Sequence, residues 1–426
     1  MTARAGTLFL GWVFATFLAC ATGVPAAGCS GPDKPFVPGE RPGAPSGITV
    51  PAGFSILTIA QVPRARELAA LPNGDLLVGT SSRDVYLVPN AERAAPGAAL
   101  VFARIPDDNA AGVAFSRRRC EIYIAGEHAI YAAPYSSAQR VAKDLRRIAT
   151  VRTGAVAPHT DGDVHSTTSV AVSDATDTLY AGVGSSCNAC VEVDPTRAAI
   201  LQMNPAGGNV MKRATRIRNS IALAIDPASG ALWVGDAGQD NLPFGHPYEF
   251  LDDVSSHRGV ADYGWPDCEE NRFPYTTGAN CTNAVAPLVE LPAYSTIVGA
   301  VFYPRRQTGA FAFPAAYRGA LFATAHGSWH STPNGTAYAA IPAVVSVAMR
   351  AGRPAIPVDW HDPHAQWRTF VGGFQRGPRE RAGRPTGIAV GAQGSLFVAD
   401  DAAGVIYRIR PSGAGSLRIK NPGRRA

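Results

Sequence analysis

The chain has 426 residues, with 39 Lys+Arg against 33 Asp+Glu and a formal charge of +6. Its 46% apolar content can fill a large core, which excludes wholesale disorder, and so small and dispersed a positive excess does not point to nucleic acid. With 44 Gly, 34 Pro and only 17% charged residues, the composition suits a turn-rich all-β protein better than a helix bundle. Length alone would allow about two or three domains, a rule from which repeat architectures are exempt.

Arg4 followed by the twelve-residue apolar run Leu8 to Ala19 reads as an export signal. The run is too short for the roughly 20 residues of a membrane-spanning helix. Small residues follow, and two cysteines stand at lipid-attachment positions, in Phe17-Leu18-Ala19-Cys20 and Ala26-Ala27-Gly28-Cys29. Cys29 is the better candidate because a tether with six Pro and four Gly fills residues 29–51. Cleavage nearby without a lipid is the alternative. We therefore expect a lipoprotein-type signal peptide over 1–28, a tether over 29–51, a folded body over 52–415 and a basic tail over 416–426. The expected location is the periplasm or the outer cell surface, with a lipid as the sole membrane attachment.

From the tether onward one pattern recurs: an apolar strand, a Gly-containing or polar turn, and a second apolar strand. It occupies Arg66–Val78, then Gly112–Phe115 with Glu121–Ala125, Ser169–Val172 with Thr178–Ala181, and Ile221–Ile225 with Ala231–Gly235. It returns in Val298–Phe302 with Ala320–Thr324 and in Thr386–Val390 with Ser395–Ala399. Six copies at intervals of about 45 to 90 residues predict a six-bladed β-propeller with loop insertions; an assorted array of β-sandwiches is the competing reading. In a propeller the first strand of each blade lines the channel, so Arg66, His165, Arg218, Asn219, His326, Trp329 and Arg384 should gather at one mouth. Several cations and a histidine there suit a small polyanion.

Export implies oxidising surroundings, so Cys187 is expected to pair with Cys190 and Cys268 with Cys281, leaving Cys120 as a buried odd cysteine. His165 opens the third repeat, where an imidazole can take a proton from a substrate hydroxyl. The run His159, Asp161, Asp163, His165 also permits a metal site. Arg218 offers a planar fork for carboxylate or quinone oxygens, and carbonyls freed by the turn at Gly238 and Gln239 suit Ca²⁺. A surface arginine and an ordinary hairpin would look the same.

These pieces occur in a fixed order. Gly184-Ser-Ser-Cys187-Asn-Ala-Cys190-Val-Glu192-Val-Asp194-Pro-Thr-Arg197-Ala-Ala-Ile200 is followed by Arg218-Asn219 and by Asp262-Tyr-Gly-Trp-Pro266 with Cys268. His326-Gly-Ser-Trp329 and Gly383-Arg-Pro385 with Asp400-Asp401 complete the series. Together, from about residue 55 to 410, they resemble the quinoprotein sugar dehydrogenases of the L-sorbosone dehydrogenase type. That resemblance implies a six-bladed propeller holding pyrroloquinoline quinone (PQQ) and Ca²⁺. It implies His165 as general base and Arg218 on the quinone oxygens. Asn219, His326, Trp329 and Arg384 would hold or flank the cofactor, Arg66 would pair with a carboxylate, and Gly238 and Gln239 would give main-chain oxygens to the metal.

Two departures stand out. Tyr294 occupies a stretch where the family usually has His, and His330-Ser331 follow Trp329 where the family tends to have Asn-Arg. The expected function is exported oxidation of an aldose or related sugar aldehyde or alcohol, with an unidentified electron acceptor such as a cytochrome or quinone. A non-catalytic binding propeller and a Ca²⁺-dependent lactonase, for which Asn219, Asp236 and Asp400 are the available ligands, are the alternatives.

Overall fold

The computed structural model describes residues 45–137, 139–152, 165–269 and 271–413, together with Met1 and Cys29. The expected signal peptide, Cys20, most of the tether, the His159–Asp163 part of the metal run and the basic tail lie outside the described residues.

Six sheets, each with four antiparallel strands at its heart, form the blades of a β-propeller. Their inner strands are Ala65–Ala70, Gly112–Ser116, Thr168–Ser173, Ala222–Ile225, Ile297–Phe302 and Pro385–Val390. Each packs beside the next, and the sixth beside the first, which closes the ring. The third blade carries a short fifth strand, Ala261–Asp262, paired in parallel with Met211–Thr215. The sixth blade is completed from the other end of the chain: Phe54–Gln61 pairs antiparallel with Val405–Pro411. Closure thus comes from ladder hydrogen bonds between the first and last strands.

One blade's sheet cannot bury both of its faces alone. Six apolar clusters fill the six interfaces between neighbouring blades. Between blades four and five the rings of Trp233 and Phe302 meet edge to face, with centroids 5.7 Å apart. At the axis the inner strands leave a cavity of about 260 Å³. Glu67 stands in it, accepting hydrogen bonds from the backbone of Val170 and Val113, and burial raises its carboxyl well above the usual range.

Close approach between neighbouring blades excludes a side chain at Gly182. A Cβ on Gly182 would lie 2.0 Å from the Ser220 carbonyl oxygen of the next blade, and backbone cannot yield there. Gly182→Ala is expected to cost about 1–3 kcal/mol by overpacking. Urea unfolding should show a lowered midpoint; an unchanged midpoint would contradict so close an approach.

Cys187–Cys190 and Cys268–Cys281 are bonded as the sequence suggests. The expectation for Cys120 is overturned. It is buried but bonded to Cys29, across 91 residues. Favouring neighbours in sequence misses such a pair, because loop-closure entropy grows only logarithmically with length. The same bond corrects the reading of Cys29 as a lipid-attachment site, since a sulfur engaged in a disulfide cannot also carry a thioether-linked lipid.

Candidate active site

In every blade the start of the inner strand and the end of the second strand lie on one face, because the two run antiparallel. His165 precedes the third inner strand, Arg218 and Asn219 the fourth, and Arg384 the sixth; Arg66 opens the first. Gly238 and Gln239 follow the second strand of blade four, and His326 and Trp329 follow that of blade five. The topology therefore carries all the expected residues to one mouth.

His165 is held in a defined tautomer. Its Nδ1 lies 3.1 Å from the Ser185 carbonyl oxygen and 2.9 Å from Ser185 Oγ. The Ser185 hydroxyl already donates to the Cys187 carbonyl at 2.7 Å, so both Ser185 oxygens face Nδ1 as acceptors. Nδ1 must carry the proton, which leaves the lone pair on Nε2. Desolvation holds the imidazole well below its ordinary pKa; the positive charge of Arg218 and that of Arg197 act the same way, against the Ser185 hydrogen bond. Burial thus favours the neutral form of the His165 imidazole. Gly184 makes room for it, since a Cβ there would meet His165 Cβ at 2.5 Å and Asn219 Oδ1 at 2.6 Å.

Arg218 is buried and gripped on several sides. Nε donates to the Asn188 carbonyl (3.0 Å), Nη1 to the Ala237 carbonyl (3.2 Å), and Nη2 to Asn188 Oδ1 (2.9 Å) and Asp240 Oδ2 (3.3 Å). Asn188 also accepts from the Asp240 amide (2.7 Å) and from Trp265 Nε1 (3.2 Å). The Cys187–Cys190 bond closes the loop that carries Asn188. The C-x-x-C pair is therefore a staple beneath Arg218.

Around Arg218 the chemistry is rich in oxygen. Asn219 Oδ1, Gln239 Oε1 and Glu249 Oε2 are buried without a hydrogen-bond partner. Burial pushes Asp236 up to about 6, and burial together with the Asp236 charge raises Glu249 well above the usual carboxylate range. Orphaned hard oxygens beside raised carboxyls fit an oxygen-seeking cation of the Ca²⁺ type. Gly238 is confined by Pro247 Cγ, which its Cβ would meet at 2.4 Å.

The opposite wall centres on Asp401. Its Oδ1 takes His326 Nε2 at 3.0 Å and its Oδ2 takes Arg66 Nη1 at 3.1 Å. Burial pushes His326 down to about 4 despite that partner. Arg384 donates from Nε to the His326 carbonyl (3.1 Å) and from Nη2 to the Gly327 carbonyl (2.8 Å). Trp329 is 64% exposed, an open aromatic face beside these cations, and its ring rests on His330 at 4.0 Å. The far side of His330 stacks on Tyr294 at 4.1 Å, and its Nε2 approaches Asp240 Oδ1 at 3.5 Å. Loop 326–330 thus joins the Asp401 wall to the Arg218 wall.

All seven expected residues at the mouth lie within these two linked groups. Sequence reasoning passed over Ser185, Asn188 and Asp240, polar loop residues whose type is common in any turn. It also offered Asp236 and Asp400 as ligands of a central ion. Here each accepts a backbone N–H from the loop that enters its own blade, Asp236 from Asn219 (2.7 Å) and Asp400 from Arg384 (2.9 Å). These two aspartates hold repeat-equivalent loops in place.

No protein-family model matches the chain. An uncharacterized protein of Borreliella burgdorferi is 26% identical over 261 residues, which is 60% of this chain and 63% of that protein, under two thirds of its length. Among solved structures, the holo form of the pyranose dehydrogenase PQQ domain from Coprinopsis cinerea matches with a TM-score of 0.70 at 19% identity, covering 88% of this chain and 100% of that one. A calcium structure of a Trichoderma reesei carbohydrate-active enzyme of family AA12 matches with a TM-score of 0.70 at 18% identity, covering 88% and 99%. The PQQ-bound aldose sugar dehydrogenase of Streptomyces coelicolor gives 0.55 at 16% identity, covering 85% and 99%. Likeness at these identities establishes the propeller fold.

Proposed function

We propose that the chain is an exported, PQQ-dependent and Ca²⁺-assisted dehydrogenase of aldoses or related sugar aldehydes and alcohols, of the L-sorbosone type. The observation that carries this reading is the fixed tautomer of His165, a neutral imidazole with its lone pair on Nε2, set beside the buried cation Arg218. The similar propellers described as holding PQQ or calcium support it. So do the three disulfides, which suit an oxidising compartment, periplasmic or outside the cell.

When bound, PQQ supplies a hydride acceptor and Ca²⁺ a Lewis acid on its carbonyl. The chain's own residues do the rest. His165 Nε2 takes the hydroxyl proton of the sugar, and the Ser185 acceptors stabilise the imidazolium that results. Arg218 stabilises negative charge developing on oxygen. Arg66 and Arg384 hold carboxylates, and Trp329 presents a flat apolar face. Asn219 and Gln239, with the main chain of Gly238, supply oxygens for the cation. The lactonase alternative loses two of its ligands to structural roles, because Asp236 and Asp400 are engaged by backbone N–H groups.

The test is reconstitution. Apo protein supplied with PQQ and Ca²⁺ should reduce an artificial dye at the expense of an aldose. A base acts unprotonated, and the His165 pKa lies below the usual value of about 6.5. The acid limb of kcat/KM should therefore fall below that pH, with full rate persisting down to it. Absence of quinone uptake in the presence of Ca²⁺ would remove the dehydrogenase reading and leave a binding propeller.

A further inference from the structure

The loop after the second strand of blade five has Ser331 where the resembled family tends to carry an arginine. A neighbouring hairpin, Gln375–Gly377 with Glu380–Arg381, reaches over that loop. Arg379 Nη1 donates to Ser331 Oγ and, at 3.1 Å, to the Gly335 carbonyl. Arg381 Nη2 donates to the Ser328 carbonyl and, at 3.2 Å, to the Ala340 carbonyl, while its guanidinium carbon lies 3.9 Å from the centroid of the Tyr338 ring. Both arginines thus lie against the segment that bears His326 and Trp329.

Arg381 is poorly compensated. Its Nε is buried without a hydrogen-bond partner, and no carboxylate forms an ion pair with it among the described residues. The charge nearest to it in effect is another cation, Arg384; burial and that repulsion push Arg381 down to about 10. The corner holds three guanidinium groups, Arg66, Arg381 and Arg384. Asp401 pairs with Arg66 and His326 and attracts Arg384, while Asp400 is engaged by the Arg384 and Ala403 amides. A half-buried guanidinium with carbonyl and aromatic partners but no carboxylate keeps its charge available to an anion that arrives with a ligand.

We propose that Arg381 is an anion-binding residue of the mouth, supplying from the neighbouring hairpin the cation that the loop lacks at Ser331, and that it takes a carboxylate of a flat polycarboxylate ligand. Arg379 holds Ser331 and so fixes the loop against the hairpin. The ligand class rests on the PQQ reading above, whereas the cation excess is a property of this chain.

The test uses the full apo chain with two probes: PQQ with Ca²⁺, and trimesate, a flat aromatic tricarboxylate without redox chemistry. Binding is followed by protein fluorescence and stability by calorimetry. Arg381→Met should weaken both probes about 10- to 100-fold, the worth of one charge-assisted hydrogen bond, and flatten the salt dependence of binding. Arg381→Lys should recover most of the affinity, and Ser331→Arg added to Arg381→Met should recover part of it. A wild type that binds PQQ while Arg381→Met binds both probes equally well, with only its melting temperature lowered, would reduce Arg381 to a packing role and leave the dehydrogenase reading standing. A wild type that takes up trimesate but not PQQ, with the loss in Arg381→Met intact, would keep the anion site and overturn the quinone. A wild type that binds neither probe would overturn both.

Discussion

His165→Ala is expected to lower turnover of the reconstituted protein by about 10²–10⁴-fold, while PQQ affinity changes by no more than a few-fold. The asymmetry follows from what the imidazole touches. Its Nδ1 contacts are Ser185 O and Ser185 Oγ, and neither is orphaned by its removal. The carbonyl keeps Arg197 Nη2 at 2.7 Å, and the hydroxyl keeps the Cys187 carbonyl. The fold should therefore lose no more than about 1 kcal/mol, the net worth of an ordinary hydrogen bond. The loss falls on proton transfer, which no neighbour can take over: Arg197 and Arg218 are permanent cations, and Ser185 is already committed as donor and acceptor. Steady-state dye reduction and a PQQ titration on the same sample separate the two effects. Full dye reduction by the variant would end the assignment of His165 as base. Affinity lost in step with rate would make it a cofactor contact.

The propeller was legible because each blade repeats a local pattern, and local patterns survive in sequence. The pair Thr386–Val390 and Ser395–Ala399 reappears as Pro385–Val390 and Leu396–Asp400. The closing strand was not legible, since Phe54–Gln61 acquires its meaning only from a partner near the other end of the chain. The same holds for Cys29 with Cys120. Within the site, permanent charges and the histidines His165 and His326 could be found by type and position. Asn188 and Asp240 could not, because nothing local marks an Asn or Asp as the counterpart of a particular buried arginine. The two departures, Tyr294 and His330, look unrelated in sequence and prove to be one feature, stacked ring on ring. Tyr294 reaches that position with φ of 63°, a left-handed conformation rare for an aromatic residue and of the kind that concentrates at functional sites.

Arg218→Met should produce the largest combined loss, because this residue serves both fold and site. Arg218 is 3% exposed, and removing its guanidinium takes one donor from the Asn188 carbonyl, the donor of the Ala237 carbonyl and an ion-pair partner from Asp240. Breaking one side of a buried ion pair costs about 3–5 kcal/mol, so the urea midpoint should fall well beyond the effect of Gly182→Ala. PQQ binding should disappear, since the cation on one wall of the mouth is gone and loop 184–190 loses the group it is folded around. A third readout separates electrostatics from mere loosening. Arg218 helps hold the His165 pKa down, and taking a positive charge away eases protonation of a neighbour. In Arg218→Met the His165 imidazole should therefore titrate at a higher pH than in the wild type, as followed by NMR of its ring protons. Reduction of the Cys187–Cys190 staple in the wild type should loosen Asn188 and weaken binding, with Arg218 still supplying its charge to His165. An Arg218→Met protein that keeps wild-type stability, quinone affinity and His165 titration would show that the buried network around Asn188 and Asp240 does not organise this mouth.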